Sequence, residues 1–321
     1  MNRLPSEPRL HLGDHPHLLS LEQLLAAVPV ILWATLLFGG GALLRILLSA
    51  LFVLLLDIAG GVLQNRLLHR NFPKLRLRGA VVGLVIALLS PSDLPIWLLL
   101  MADLPAVAIL QIFRSESHFP VSLTALCGCF LLLFEEARRY PLLIDSENGV
   151  TLAERLGSGD MPSLSIEDML LGRMDGNMGE IASLLLLLGG VYLLYRRQIG
   201  WRIPLAGIVA AALTAYITAP DTMSVYYYAG AQLLSGSFLL VLIFITADRT
   251  AAPITARAEL VCGALFGLLT ILLRNQTGLD GSLPAALICS LLSRPLDRML
   301  APYPSPPAAS PTSAAASPCW R

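Results

Sequence analysis

The sequence predicts an all-α polytopic membrane protein with about ten transmembrane helices, and three observations carry that prediction. Of 321 residues, 55% are apolar and only 14% charged, where an ordinary soluble domain carries charge on about a quarter of its residues. Mean hydropathy is +0.70. Apolar runs that approach the roughly 20 residues needed to cross a bilayer recur down the chain, separated mostly by short turns. The charge balance narrows the function classes further. The 22 Lys/Arg equal the 22 Asp/Glu, so no net basic field exists to hold nucleic acid, and that class is excluded.

Residues 1–21 form a predicted cytoplasmic N-terminal segment. It holds acidic and histidine residues and no compact apolar core before a small-residue cleavage site, so it does not read as a signal peptide. The first half, 22–137, contains apolar runs at 22–40, 42–64, 79–92, 94–113 and 119–137. The third is short and interrupted by Pro91 and Pro95, a pattern found in broken helices near binding sites and also in plain helix ends. The one long connection, 138–179, is acidic and is the first place to look for chemistry, because long loops are usually functional or disordered. The second half, 180–300, contains runs at 180–195, 203–219, 228–247, 257–273 and 281–300. The Pro/Ala/Ser-rich tail, 301–321, cannot bury a core and is read as a disordered cytoplasmic end.

Lys/Arg bias sets orientation, since cytoplasmic loops retain positive charge. Alternating the connections places 16 of the 22 basic residues on one side and 5 on the other, with Arg45 at a span edge. Both termini are therefore expected in the cytoplasm, and 138–179 on the opposite face. Two sets of five spans would make any internal repeat inverted. A trace of one exists in Leu88–Pro95 (LLSPSDLP) and Phe244–Pro253 (FITADRTAAP), where Asp93 and Asp248 stand 155 residues apart, as do Leu88 and Ile243.

Charges within spans cost about 2.5–3.5 kcal/mol on insertion scales and usually face the bundle interior or water. Asp57 and Asp103 are the clearest. A Na⁺ or H⁺ path would use such carboxylates, and a hydrogen-bonded structural aspartate satisfies the same pattern. Cys127 and Cys129 lie two residues apart on a helix and point to different faces, which favours packing over cluster ligation. Gln111 reads as an interhelical hydrogen-bonding residue, and Trp201 with Tyr226–Tyr228 as interfacial anchors.

Within the long connection stands Asp145-Ser-Glu-Asn-Gly-Val-Thr151. This stretch resembles the flavin-attachment motif of the RnfD/NqrB family of membrane flavoproteins, with Asp145, Gly149 and Thr151 in register and Asn148 where that family has Ser or Thr. Gly172–Glu180 resembles the same family's G-x-x-x-G-x-x-G-E approach to the next span, through Gly176, Gly179 and Glu180. Gly189–Pro204 (GGVYLLYRRQIGWRIP) matches it most closely, and Asp248, Pro253, Thr255 and Arg257 fit a further pattern. The short chain sits nearer the Rnf side of the family than the Nqr side.

That resemblance implies FMN joined to Thr151 through a phosphodiester by a flavin transferase, with Asp145, Asn148, Gly149, Gly176 and Gly179 as flavin-binding residues. The backbone at Gly172, Gly176 and Gly179 would lie close to the ring, and ordinary turn chemistry at a helix entry accounts for the same glycines. Glu180 is read as a first-turn carboxylate favoured by the helix dipole. The resemblance further implies a bacterial inner-membrane subunit with a periplasmic 138–179 loop. It would work beside the A, B, C, E and G subunits of an Rnf-type complex, relaying electrons between ferredoxin and NAD with coupled Na⁺ or H⁺ translocation. A second, non-covalent flavin, riboflavin, also belongs to that expectation. Where the family has a Gly-rich turn and N-P-F-N-P-A, however, this chain reads Arg114–Thr124 with only Pro120 kept, which weighs against the second flavin. Two other classes fit the sequence: a flavin-free transporter or channel of the same fold, and a structural subunit of such a complex.

Overall fold

The computed structural model describes residues 16–68, 77–112, 122–131, 152–158, 164–174, 176–181, 183–220, 224–249 and 251–300. Among these residues every regular element is helical. The first half supplies α1 (Pro16–Phe38), α2 (Gly40–Leu68), α3 (Arg78–Leu88), α4 (Ile96–Ile112) and α5 (Leu123–Leu131). Two short helices follow, α6 (Leu152–Ser158) and α7 (Ile166–Leu171). The second half supplies α8 (Ser183–Tyr195), α9 (Arg202–Thr218), α10 (Val225–Leu234), α11 (Phe238–Leu240) continuing as a π-helical turn over Val241–Thr246, α12 (Ala256–Thr277) and α13 (Ser282–Leu300).

Helix breaks follow backbone chemistry. Gly39, at φ +78°, alone separates α1 from α2, a left-handed conformation that glycine adopts without penalty. After α3 the chain turns through Pro91 and Pro95, and α4 starts immediately afterwards with Leu98 and Leu99 N–H donating to the Pro95 carbonyl. Among the described residues, length and apolar composition qualify three helices to cross a membrane: Leu19–Phe38, Gly40–Gln64 and Ala256–Thr277. A fourth qualifies if α10 and α11 with its π turn count as one span bent by 59°. α3, α4, α8 and α9 are shorter apolar helices. The eighth apolar run, expected as one continuous helix over 228–247, is thus broken at Ser235-Gly236-Ser237.

Large apolar side chains cover the outside of the bundle, among them Leu36, Leu188, Leu213 and Ile217. Lipid tails are as apolar as leucine, so burying such groups between helices gains little. Association relies instead on small residues that let backbones approach. Gly263 and Gly267 of α12 face Ile203, Gly207 and Ala211 of α9. A Cβ built on Gly267 would stand 2.2 Å from the Gly207 carbonyl oxygen, and one on Gly263 2.5 Å from that of Ile203. Likewise a Cβ on Gly83 of α3 would stand 2.6 Å from the Ser49 carbonyl oxygen of α2.

Polar ties gather at one end of the bundle. Glu22 accepts from Tyr192 Oη and from Arg196 Nε at 2.9 Å and Arg196 Nη2. Arg202 donates to Glu259 at 3.1 Å, and Arg249 to the Arg197 carbonyl at 2.6 Å. Arg78 pairs with Asp248 at 3.8 Å, and Asp297 caps α12 by accepting from the Ile254 and Thr255 N–H groups. These basic residues are the ones that charge bias assigns to a single side. Most of the Gly189–Pro204 match serves this knot: Tyr192, Arg196 and Arg202 bind α1 and α12, and Arg197 turns the chain at φ +56°.

Gln111 is an interhelical hydrogen-bonding residue, as expected, donating to Asp57 Oδ1 at 3.1 Å and to the Asp57 carbonyl at 3.2 Å. Trp201 and Tyr226 are exposed in keeping with interfacial anchors. Tyr228 is not: it is buried and donates to Asn275 Oδ1 at 3.0 Å. Cys127 is buried and Cys129 half-buried, and both are free thiols.

Candidate functional site

Asp145, Asn148, Gly149 and Thr151 lie outside the described residues, as does most of Arg114–Thr124. The chain enters the described structure one residue after Thr151, at α6. Leu152, Ala153 and Leu156 are buried there, spaced so that one side of a single helical turn carries the apolar contacts. That side faces α12 and α10. A Cβ built on Gly236, in the break between α10 and α11, would stand 3.0 Å from Ala153 Cβ, 2.9 Å from Arg274 Nη2 and 3.1 Å from Asp280 Cγ. Ala153, two residues after Thr151 in the chain, is thus seated at the broken helix.

The break is polar because it has to be. Interrupting a helix inside an apolar bundle strands carbonyl and N–H groups, which require internal partners. Arg274 of α12, with no exposed surface, provides most of them. Nη1 donates to the Gln232 carbonyl at 2.9 Å, Gln232 Oε1 at 2.6 Å and Ser235 Oγ at 3.0 Å. Nη2 donates to the Ser235 carbonyl at 3.3 Å and Asp280 Oδ1 at 2.9 Å. Asp280, in the turn between α12 and α13, accepts in addition from Ser237 N–H at 2.8 Å, Ser237 Oγ and Ser282 Oγ. Burial pushes the Asp280 carboxyl up, but the Arg274 charge and the Ser237 bonds outweigh it and hold the group below the ordinary aspartate value. Gln232 Nε2 and Arg274 Nε are buried without a hydrogen-bond partner among the described residues.

The glycine-rich approach closes the same end of the bundle. Ser165 caps α7, accepting from Asp168 N–H at 3.1 Å. Gly172 ends it at φ +78°, and a Cβ there would stand 1.9 Å from the Ile181 carbonyl oxygen. Met178 and Gly179 N–H then donate to the Ser90 and Leu88 carbonyls at 3.3 and 2.8 Å, satisfying the C-terminal end of α3. The space beside Gly176 is filled by Glu180 Oε2, and that beside Gly179 by Leu88 and Leu240. Glu180 precedes α8 by three residues and does not sit in its first turn. Its carboxylate accepts from Asn177 N–H at 3.1 Å and Asn177 Nδ2, so it caps the preceding turn.

Sequence reading brought Gly176, Gly179 and Glu180 to this site and missed Gln232, Ser235, Ser237, Arg274 and Asp280. Signals for them existed: Ser-Gly-Ser inside an apolar run marks a backbone interruption, and an arginine near the end of an apolar run needs a partner.

A bundle of lipid-facing helices around a polar helix break, with a connection seated on that break, defines a polytopic α-helical membrane protein. The chain belongs to the NQR2, RnfD, RnfE family, whose model matches residues 4–305. Among its relatives are two proteins named as the D subunit of an ion-translocating oxidoreductase complex, from Escherichia coli O7:K1 (strain IAI39 / ExPEC) and from Escherichia coli O127:H6 (strain E2348/69 / EPEC). Each is 28% identical over alignments covering 92% of this chain and 95% of the relative.

Proposed function

We propose that this chain is the D-type membrane component of an ion-translocating oxidoreductase complex and that Thr151 is the attachment point of an FMN joined through a phosphodiester. In this reading the chain makes ten spans in two inverted five-helix halves of a bacterial inner membrane, with both termini cytoplasmic and the 138–179 connection periplasmic. A flavin transferase installs the group, and the A, B, C, E and G subunits of an Rnf-type complex supply the ferredoxin and NAD sites and share the Na⁺ or H⁺ coupling.

The observation that carries the reading is the seating of α6, which begins at the residue after Thr151: Leu152, Ala153 and Leu156 are buried, and Ala153 meets the break held by Arg274 and Asp280. A tethered redox group needs a fixed attachment, since the protein sets its distance from partners. A buried two-residue anchor next to the acceptor hydroxyl provides that. FMN, when bound, supplies one- and two-electron chemistry. The residues Asp145, Asn148 and Gly149 orient the acceptor, Gly179 lets the approach segment dock on α3, and Gly176 leaves room for the Glu180 carboxylate that caps the turn.

The test is retention of flavin by denatured protein. Chain produced with a flavin transferase should keep flavin fluorescence after denaturation and show one FMN adduct by intact mass on the peptide containing Thr151. Thr151→Ala should lose both. A wild-type band without fluorescence or added mass under those conditions overturns the proposal.

A further inference from the structure

Asp103 lies at the middle of α4, on the side that carries Leu99, Ala102, Ala106 and Leu110, and has no exposed surface. Its Oδ2 is 2.9 Å from Ser49 Oγ of α2. The same Ser49 Oγ is 2.8 Å from the Gly83 carbonyl oxygen of α3. Asp103 Oδ1 is buried with no partner among the described residues. The α2 and α3 backbones are brought together here at Gly83, which has no room for a Cβ against Ser49.

Proton counting decides the state of this triad. A serine hydroxyl has one proton, a carbonyl oxygen can only accept, and an ionised carboxylate can only accept. Were Asp103 ionised, Ser49 would face two acceptors with one proton, and a buried charge would be left with a single shared bond and one bare oxygen. An arrangement of that kind is strongly disfavoured in the hydrocarbon region. With a proton on Oδ2 the count closes: Asp103 Oδ2–H donates to Ser49 Oγ, and Ser49 donates to Gly83 O. The bare Oδ1 is then a neutral carbonyl oxygen rather than half of an anion.

We propose that Asp103, Ser49 and the Gly83 carbonyl form a proton-binding site inside the helix bundle, with Asp103 in its protonated form at rest. Release of the proton leaves the carboxylate, and rotation of the Ser49 hydroxyl from Gly83 O to Asp103 Oδ2 stabilises it. Gly83 O, inside α3, keeps its helical bond throughout. The ionisable groups on the helices packed against α4 are few among the described residues. Arg45, Asp57 and Arg66 lie on α2, Arg78 on α3, and Cys127 and Cys129 on α5. Arg45 donates to the Leu94 carbonyl, Asp57 accepts from Gln111 and Arg78 pairs with Asp248. Asp103 has Ser49 as its side-chain partner and takes part in none of the ion pairs among the described residues, so no fixed cation there neutralises the acid. Within the complex proposed above, and resting on that reading, this is where the chain takes up a coupled proton.

The experiment uses the full-length chain in lipid nanodiscs, without flavin or partner subunits, and infrared difference spectroscopy through a pH titration. Wild type should show a carboxylic-acid C=O stretch at neutral pH that is absent from Asp103→Asn. In Ser49→Ala, where the acid loses the oxygen to which it donates, that band should move to higher frequency. Thermal unfolding of Asp103→Asn should match wild type, because the amide reproduces a neutral donor and acceptor. Spectra that superimpose for wild type and Asp103→Asn overturn the site, and so does a Ser49→Ala band at the wild-type position. These readouts do not depend on Thr151, so loss of the flavin proposal leaves them standing, and their failure leaves the flavin proposal standing.

Discussion

Replacing Arg274 by methionine tests whether the polar break is a closed, water-free unit. The side chain has no exposed surface and makes five hydrogen bonds to Gln232, Ser235 and Asp280. Methionine retains much of the volume and the apolar stem, so the loss isolates the charge and its bonds. Removing one partner of a buried ion pair leaves an uncompensated charge and costs about 3–5 kcal/mol, on the order of 10² to 10⁴ in the folded-to-unfolded ratio. Asp280, whose side chain is 12% exposed, would be that charge. Adding Asp280→Asn to Arg274→Met should therefore restore at least about 1 kcal/mol, as a coupled neighbour does. The assay is equilibrium unfolding of the four proteins of the cycle in one detergent or nanodisc composition. A loss below about 1 kcal/mol for Arg274→Met, or a double variant less stable than Arg274→Met, would refute the account of a dry pair holding the break.

Two further predictions follow from the geometry. Because Asp280 is held below the ordinary aspartate value, its contribution is fully present above the unfolded-state value of about 3.9 and is lost as pH falls through the lower folded-state value. Acid unfolding monitored by tryptophan fluorescence should accordingly begin at higher pH in Ser237→Ala, which removes one hydrogen bond to the carboxylate, and coincident curves would contradict this. Gly267→Leu should destabilise by roughly 1–3 kcal/mol or more, because even its Cβ would meet the Gly207 carbonyl at 2.2 Å and push α9 from α12; a wild-type melting temperature would show that this contact is not as tight as described.

The helical membrane class was readable from hydropathy because apolar runs of this number and length exceed what a soluble core tolerates, and each of those runs contains helix among the described residues. Gln111 was readable too, since an amide inside an apolar run has few options besides a neighbouring helix. The broken eighth run was not recognised: Ser235-Gly236-Ser237 is too short to lower the hydropathy of its window, and the evident breakers were Pro91 and Pro95 in the third. Glu180 was misplaced by three residues because a carboxylate near a helix start fits both a first-turn position and a turn cap.

Sequence alone determined that this chain is an apolar helical bundle, roughly where its long apolar helices run, and which family it resembles, because hydropathy and local motifs are properties of contiguous residues. Only the tertiary structure decided that Arg274, Asp280, Gln232 and Ala153 meet at one helix break, and that Ser49, Gly83 and Asp103 meet at another place. Those contacts join residues tens of positions apart, and their partners are chosen by close backbone approach at glycines and by the need of every buried polar group for a mate. Neither constraint is written in any single stretch of the chain.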